Sequence, residues 1–158
     1  MAIRKPLVII NGQMQEAPAG DTLSTASSEV DVVGKANSNA GPLTTGMALY
    51  VKSDGSVDKA SASSATTKRV LGLVKDGSIA AAAQGLVQTD GVLTLSDWTA
   101  VTGFAQLTAG AMYFLSATAG QLTTTPPTTA GQYVCSVGMA LNQTDFEIDT
   151  DRMGVLLA

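Results

Sequence analysis

The chain has 158 residues, a length that suits one ordinary domain with a hydrophobic core. Apolar residues make up 45% of it but aromatic residues only 4%, so the core must be built mainly from Ala, Val and Leu, and we expect modest stability for an isolated monomer. The net charge of -4 and the low content of charged residues, 14% against an ordinary value of about 25%, argue against nucleic-acid binding and suggest that other protein covers part of the surface.

The residue types that usually carry catalysis are scarce. There is no histidine, which removes the commonest general base and metal ligand and makes Ser-His and Cys-His nucleophiles impossible. The single cysteine, Cys135, cannot form an intrachain disulfide, which fits a reducing cytoplasm, and its alternating surroundings favour a buried, inert thiol. No phosphate-binding glycine motif occurs, and no apolar run approaches the roughly 20 residues that span a bilayer. We therefore predict no catalytic residue, no cofactor, no metal and no membrane contact, and we expect that the protein is not an enzyme.

The N-terminal segment predicts a β-hairpin. An apolar run precedes Asn11-Gly12, the strongest short hairpin signal, because both turn residues must adopt a positive φ. The run is too short for a signal-peptide core, and the segment Ala17–Asp21 ends the hairpin. We assign residues 1–23 to a hairpin arm and expect it to bind a neighbouring protein. The residues expected to make that contact are Leu7, Val8, Ile9, Ile10, Asn11, Gly12, Gln13 and Met14.

Residues 24–41 read as a linker rich in Ser, Ala, Asn and Gly, with one short strand around Val30, Val32 and Val33. The body is then expected to span residues 42–158.

Within the body, one pattern occurs twice. The segment Leu43–Val51 is echoed by Leu107–Leu115, about 64 residues later, and each copy continues into a glycine turn and a short strand. A second apolar run that holds a glycine follows in both copies, at Arg69–Val74 and at Tyr133–Ala140. We place the copies at about 43–74 and 107–140, and leave open whether they form one barrel or two lobes.

Turn signals recur along the body at spacings typical of a small barrel or sandwich. They end at Gly55, Gly77, Gly91, Gly103, Gly120 and Gly131. The predicted fold class is therefore all-β, a small barrel or sandwich built from a pseudo-duplicated β-unit and preceded by the N-terminal hairpin arm.

Some segments of the body allow more than one interpretation. Ile79–Gln84 predicts either a short helical turn or a small-residue strand, and Thr94–Trp98 allows a helical turn capped by Ser96. Ser61–Thr67 and Thr123–Thr129 are expected to be small-polar loops, the second of them exposed, because Pro126 and Pro127 lack the ladder donor. The segment Asp145–Asp151 predicts a strand with one apolar and one acidic face.

A few side chains deserve a second interpretation. The acids of 145–151 could bind calcium, but acids about 7 Å apart on one strand face favour a solvated edge instead. The pair Lys68-Arg69 is expected at a solvated loop end. Trp98 with Phe104 is expected in the core or in a subunit contact rather than in a sugar-binding platform.

Two segments carry a resemblance. The run Lys5–Gln15, followed by Pro18–Leu23, resembles a leader found on structural proteins of tailed bacteriophages, where it recurs on different virion components. The repeated plan of Leu-Thr-x-Gly, strand, glycine turn, loop and Val-x-Gly is similar to small β-rich capsid decoration (cement) proteins and to modules of tail and fibre proteins.

The resemblance implies a decoration protein on the capsid surface, made in the cytoplasm of the bacterial host. Its implied partners are the major capsid protein and further copies of itself, most often as a homotrimer, and it carries over no catalytic residue. A tail, baseplate or fibre component is the alternative, although the chain is short and has no heptads. An enzyme or a glycan-binding module is a third class, against which the absent histidine and the few aromatics count.

Overall fold

The computed structural model describes residues 7–10, 13–16, 31–75, 77–151 and 153–158. In these ranges the backbone is almost entirely β, which confirms the predicted fold class. The strands are β1 (Leu7–Ile10), β2 (Gln13–Glu16), β3 (Val32–Ala36), β4 (Leu43–Thr44), β5 (Ala48–Val51), β6 (Val57–Lys59), β7 (Val70–Val74), β8 (Ser78–Ile79), β9 (Gln84–Gln88), β10 (Gly91–Thr94), β11 (Met112–Leu115), β12 (Leu122–Thr123), β13 (Tyr133–Val134), β14 (Ser136–Ala140), β15 (Asp145–Ile148) and β16 (Val155–Leu156). A single helical turn, α1 (Thr99–Thr102), interrupts them, and no helix within these ranges is long and apolar enough to cross a membrane.

The predicted N-terminal hairpin is present. Strands β1 and β2 pair in antiparallel register, with Leu7 opposite Glu16 and Ile10 opposite Gln13. The Asn11-Gly12 turn between them lies outside the described residues.

The body holds two five-stranded sheets with the same connectivity. Their strand orders are β3-β9-β7-β5-β6 and β10-β15-β14-β11-β12. In each sheet the strand that comes first in the chain is one edge, the last strand is its neighbour, and a hairpin forms the other edge. Residues 31–89 therefore form a first unit and residues 90–150 a second unit with the same fold.

The duplication extends to the irregularities of the ladders. The β5–β7 pairing shifts register between Leu49 and Tyr50, and the β11–β14 pairing shifts between Tyr113 and Phe114, at the same position of the unit. Both units also close the start of this pair alike. Gly46 N–H donates to the Val74 carbonyl at 2.9 Å, and Gly110 N–H donates to the Ala140 carbonyl at 2.7 Å. This agreement confirms the duplicated unit.

Each unit needs a glycine where its two central strands approach closely. A methyl group at Gly72 would overlap the Gln88 carbonyl oxygen, and one at Gly138 would overlap the Glu147 carbonyl oxygen. The turn glycines are also conserved in geometry between the units, since Gly55 and Gly120 both have a φ of 80°. All six glycines that the sequence marked as turns have a positive φ.

Each unit has its own interior, so the body consists of two packed lobes. The first interior is a separate cluster, and the second belongs to a larger cluster that also holds the contact between the units. Five equivalent positions are buried in both. These pairs are Leu43 and Leu107, Leu49 and Tyr113, Val57 and Leu122, Val74 and Ala140, and Val87 and Phe146.

The two lobes are closed differently at their rims. In the first, Asn37 continues β3 and bridges to Val57 of β6, and its buried side-chain amide donates to the Ile79 carbonyl at 2.8 Å. In the second, Trp98 fills the rim, with its ring centroid 5.6 Å from that of Phe146. The Trp98 indole N–H donates to the Thr144 carbonyl at 3.1 Å.

Two local predictions were wrong. The helical turn begins at Thr99, after the predicted segment Thr94–Trp98, and Asp97 rather than Ser96 accepts hydrogen bonds from the Thr99 backbone and hydroxyl. Ile79–Gln84 is neither helix nor strand throughout. The segment leaves β8, turns with Ala82 at a φ of 61°, and enters β9. Ala82 takes this unusual φ because only residues 80–83 connect the two strands.

Other local predictions were correct. A strand lies within 24–41, as predicted, but the body does not begin at residue 42, because β3 pairs with β9 as an edge of the first sheet and so belongs to the body rather than to a linker. The acidic segment forms β15, in which Phe146 and Ile148 are buried and Glu147 is exposed. After Thr123, the proline-containing loop is largely exposed.

Candidate functional site

The binding residues expected from the sequence lie on the N-terminal hairpin. Strands β1 and β2 hold Leu7–Ile10 and Gln13–Glu16 in register, which leaves the outer backbone edge of each strand outside the hairpin's own ladder. Asn11 and Gly12 lie outside the described residues. The binding role of the arm therefore stays a prediction.

A second candidate emerges from the contact between the two units. The turn at Gly120 of the second unit inserts its main chain into the edge of the first sheet. Ala48 N–H donates to the Gly120 carbonyl at 3.1 Å, and Gly120 N–H donates to the Ala60 carbonyl at 2.7 Å. The backbone of one unit thus bonds between the ends of two paired strands, β5 and β6, of the other.

The loop that follows β6 completes this contact. Ala62 N–H donates to the Ser116 carbonyl at 2.9 Å, Tyr133 N–H donates to the Ala62 carbonyl at 2.9 Å, and the Ser61 hydroxyl donates to the Ala117 carbonyl at 2.8 Å. The sequence predicted a small-polar loop at Ser61–Thr67. It is a loop, but its first two residues are buried because the second unit covers them.

The contact uses one surface of the first unit and a different surface of the second unit. The equivalent of each surface on the other unit is therefore left uncovered. Ala48 has no exposed surface, whereas its equivalent in the second unit, Met112, is 45% exposed. Conversely, Leu115 has no exposed surface, whereas its equivalent in the first unit, Val51, is 39% exposed. Such a contact between non-equivalent surfaces is heterologous, and each unit carries one half of it unused.

The unused half on the second unit is centred on Met112. A shallow cavity of about 280 Å³ lies beside Met112 and Met139, with Glu147 and Asp149 on its wall. Their first-unit counterparts Ala48 and Leu73 are buried. We call the surface formed by Gly110, Met112, Met139, Glu147 and Asp149 the Met112 face.

The unused half on the first unit is an open groove of about 620 Å³. Its apolar lining comes from Val51, Val70, Leu71 and Met153, and its charged lining from Lys68 and Arg69. We call these six residues the Val51 groove.

Lys68 has a structural part in the wall of this groove. Its ammonium group bonds to the Met153 carbonyl and lies 4.5 Å from the centroid of the Tyr133 ring. The expectation of a solvated loop end therefore holds for Arg69, which is exposed, but was wrong for Lys68.

The aromatic pair singled out in the sequence is split. Trp98 is fully buried, as expected of a core residue, whereas Phe104 is 73% exposed. Together they do not form one surface.

The acidic strand is held by side-chain hydrogen bonds, and the cysteine is buried. Asp145 accepts hydrogen bonds from the Thr94 hydroxyl at 2.7 Å and the Asn142 amide at 2.7 Å, and these bonds lower the pKa of its carboxyl group. Cys135 is buried, and this burial raises the pKa of its thiol. In the described ranges, no three acidic or cysteine side chains are grouped to hold a metal ion.

Sequence reasoning missed the Val51 groove and the Met112 face. A signal was available, because the aligned repeats place Met112 opposite Ala48 and Arg69 opposite Cys135, and such large or charged replacements mark a change from covered to open positions. Comparison of the chain with protein-family models finds no match, and comparison with curated proteins finds none either.

Proposed function

We propose that the protein is a bacteriophage capsid decoration protein, which binds the outer surface of the head and bridges capsid subunits to stabilise the shell. The observation that carries the proposal is the β1–β2 hairpin, which forms within the segment that resembles the leader of phage structural proteins. The major capsid protein is the proposed partner, with further copies of the chain, favoured as a trimer. The place of action would be the virion surface after synthesis in the host cytoplasm.

The proposed mechanism is β-augmentation by the arm. A two-stranded hairpin is marginally stable alone, and its outer backbone groups can add to the sheet of a neighbour. Backbone hydrogen bonds would supply affinity, and the alternation of Leu7, Val8, Ile9 and Ile10 between two faces would set the register. Backbone hydrogen bonds also join the two units of the body, where Gly120 bonds to Ala48 and Ala60.

The body supports this proposal through its construction. Each unit is held by its own five-stranded ladder, and the second unit is bonded to the first through main-chain groups at Ala48, Ala60 and Ala62. A tether of this kind suits a load-bearing bridge between capsomers that resists pressure from packaged DNA.

Removal of residues 1–23 tests the arm. Mixed with undecorated heads, the shortened protein should occupy far fewer sites than the full chain, because the edge that pairs with the neighbour is gone. Ile9→Pro should have the same effect because proline removes an N–H donor, whereas Ile9→Thr, which keeps the N–H and a β-branched side chain, is the matched control. Unchanged occupancy after removal of 1–23 would take the arm out of the mechanism.

A tail, baseplate or fibre component is the second candidate, because the resembled leader occurs on different parts of the virion. Copy number separates the two. Hundreds of copies spread over the head support decoration, whereas a few copies at one vertex support the tail. Locating the chain in a reconstruction of the intact particle makes this measurement directly.

A further inference from the structure

We propose that separate molecules associate head to tail by repeating, between chains, the contact that joins the two units within one chain. The Met112 face of one molecule would receive the Asp54-Gly55 turn of the next molecule. The loop at 124–130 of the first molecule would enter the Val51 groove of the next. This inference concerns the self-association named in the proposed function and does not depend on binding to a shell.

The first argument is the equivalence of the turns. Gly120 inserts between Ala48 and Ala60, and Gly55 is its counterpart with the same φ of 80°. Gly120 is buried, whereas Gly55 is exposed, and no described atom outside its own neighbourhood lies within 4 Å of a methyl group placed on it. The Gly55 turn therefore has the shape of the inserted element but inserts into nothing within the chain's described part.

The second argument is the receiving edge. Met112 occupies the position of Ala48, whose backbone N–H donates to the Gly120 carbonyl rather than to the central strand β7. Strand β12 ends at Thr123 and pairs only with Phe114 and Leu115, so it does not extend as far as Met112. The neighbouring Gly46 is covered by Leu95, Val101 and Trp98, whereas its counterpart Gly110 has nothing described within 4 Å of an added methyl group.

The third argument is the groove. In the second unit the end formed by Leu115, Cys135 and Val137 is buried in one cluster with Ala62 of the first unit, whose backbone bonds to Ser116 and Tyr133. The equivalent end of the first unit is the Val51 groove, and the equivalent loop is the segment 124–130, which is exposed except at the half-buried Pro126 and Pro127. That loop carries Pro126 and Pro127, which cannot supply the N–H bond that Ala62 makes, but their rings suit a groove with apolar walls.

The fourth argument is charge. The Val51 groove carries Lys68 and Arg69, whereas the Met112 face carries Glu147 and Asp149. The opposite charges of these two surfaces favour head-to-tail encounters over encounters between like surfaces. A heterologous contact of this kind closes into a ring or continues as a filament, and a closed trimer would present six β-units around its axis.

The test is the mass of the purified protein in solution, measured by light scattering or sedimentation without any shell present. The wild type should exceed the 16.0 kDa monomer, and its mass should fall as salt is raised. Val51→Asp and Met112→Asp should each weaken association and raise the apparent dissociation constant at least tenfold. Leu86→Asp is the matched control, because Leu86 is 41% exposed on β9 of the first unit, outside both surfaces.

Mixing the two variants gives the decisive result. A Val51→Asp molecule keeps its Met112 face, and a Met112→Asp molecule keeps its Val51 groove, so an equimolar mixture should form a 1:1 dimer that neither variant forms alone. A mixture that stays monomeric, a wild type that is monomeric up to about 1 mM, or variants that associate like the wild type would each overturn the inference. Circular dichroism of both variants confirms that they are folded.

The occupant of the groove is tested separately. Removal of residues 1–23 should leave the number of chains per oligomer unchanged. A fall to the monomer on this removal would identify the arm as the contact and overturn the proposal. A monomeric protein that still decorates heads would refute this inference alone, whereas an oligomer that does not bind heads would refute the proposed function alone.

Discussion

Gly138→Ala is expected to destabilise the protein because the added methyl group would overlap atoms of the neighbouring strand. It would overlap the Glu147 carbonyl oxygen and lie 2.8 and 2.9 Å from two carbon atoms of the Phe146 ring. That oxygen belongs to the β14–β15 pair, and the ring is packed between Trp98 and Tyr113 at centroid distances of 5.6 and 5.7 Å.

The size of the effect follows from these neighbours. Overpacking a core costs about 1–3 kcal/mol, and here the obstacle is main chain rather than a flexible side chain, so we expect a loss of about 3 kcal/mol in the free energy of unfolding. For a chain of this size that corresponds to a fall in the melting temperature of roughly 6–12 °C. Gly72→Ala should cost a similar amount, because its methyl group would overlap the Gln88 carbonyl oxygen in the first unit.

Gly34→Ala is the matched control. Gly34 also lies in a strand, β3, but no described atom is within 4 Å of the added methyl group, so the substitution should be neutral or should stabilise by about 0.4–1 kcal/mol. Urea denaturation of the three variants measures the difference. If Gly138→Ala lies within about 0.5 kcal/mol of the wild type, the close approach of the strands is wrong.

Three further outcomes are expected. Trp98→Phe should lower the free energy of unfolding by about 1–3 kcal/mol, because it shrinks a fully buried ring and removes the indole hydrogen bond to the Thr144 carbonyl, which keeps only the Leu95 N–H as a donor. Phe104→Ala at an exposed site should change it by less than about 0.5 kcal/mol in the same urea titration. Hydrogen bonds lower the pKa of Asp145 in the folded state. Its contribution to stability is therefore present above the ordinary aspartate pKa of about 3.9 and is lost as the pH falls through the folded pKa. Asp145→Asn should reduce the loss of stability between about pH 5 and 2, and an unchanged slope of stability against pH would contradict this. The Cys135 thiol, with its pKa raised by burial, should react with a thiol reagent only at the rate of unfolding, and fast reaction of the native protein would show that it is accessible.

The repeat could be recognised from the sequence where side chains decide the structure. Leu43–Val51 and Leu107–Leu115 share glycine and apolar positions, and these fix the turn and the central strand of each unit. The flanking strands β3 and β10 escaped notice as a pair because they share little sequence. Their equivalence comes from pairing with β9 and β15, which is a long-range property.

The remaining errors have similar causes. Ala82 adopts a positive φ that alanine propensity opposes, because β8 and β9 leave room only for a tight turn. The Ser61-Ala62 loop has a polar, loop-like composition, yet it is buried by the partner unit, which no local pattern reveals. The hairpin was predictable because the Asn-Gly turn signal acts locally. The Val51 groove and the Met112 face were not, because they are surfaces that are open on one folded unit and covered at the equivalent position of the other.

The insertion of Gly120 between Ala48 and Ala60 also constrains the order of folding during synthesis. The edge of the first sheet cannot complete its hydrogen bonds until residue 120 has left the ribosome, long after the strands of that sheet have emerged. The nascent first unit should therefore wait in an incomplete state, and both halves should reach their native form in one cooperative step rather than in succession.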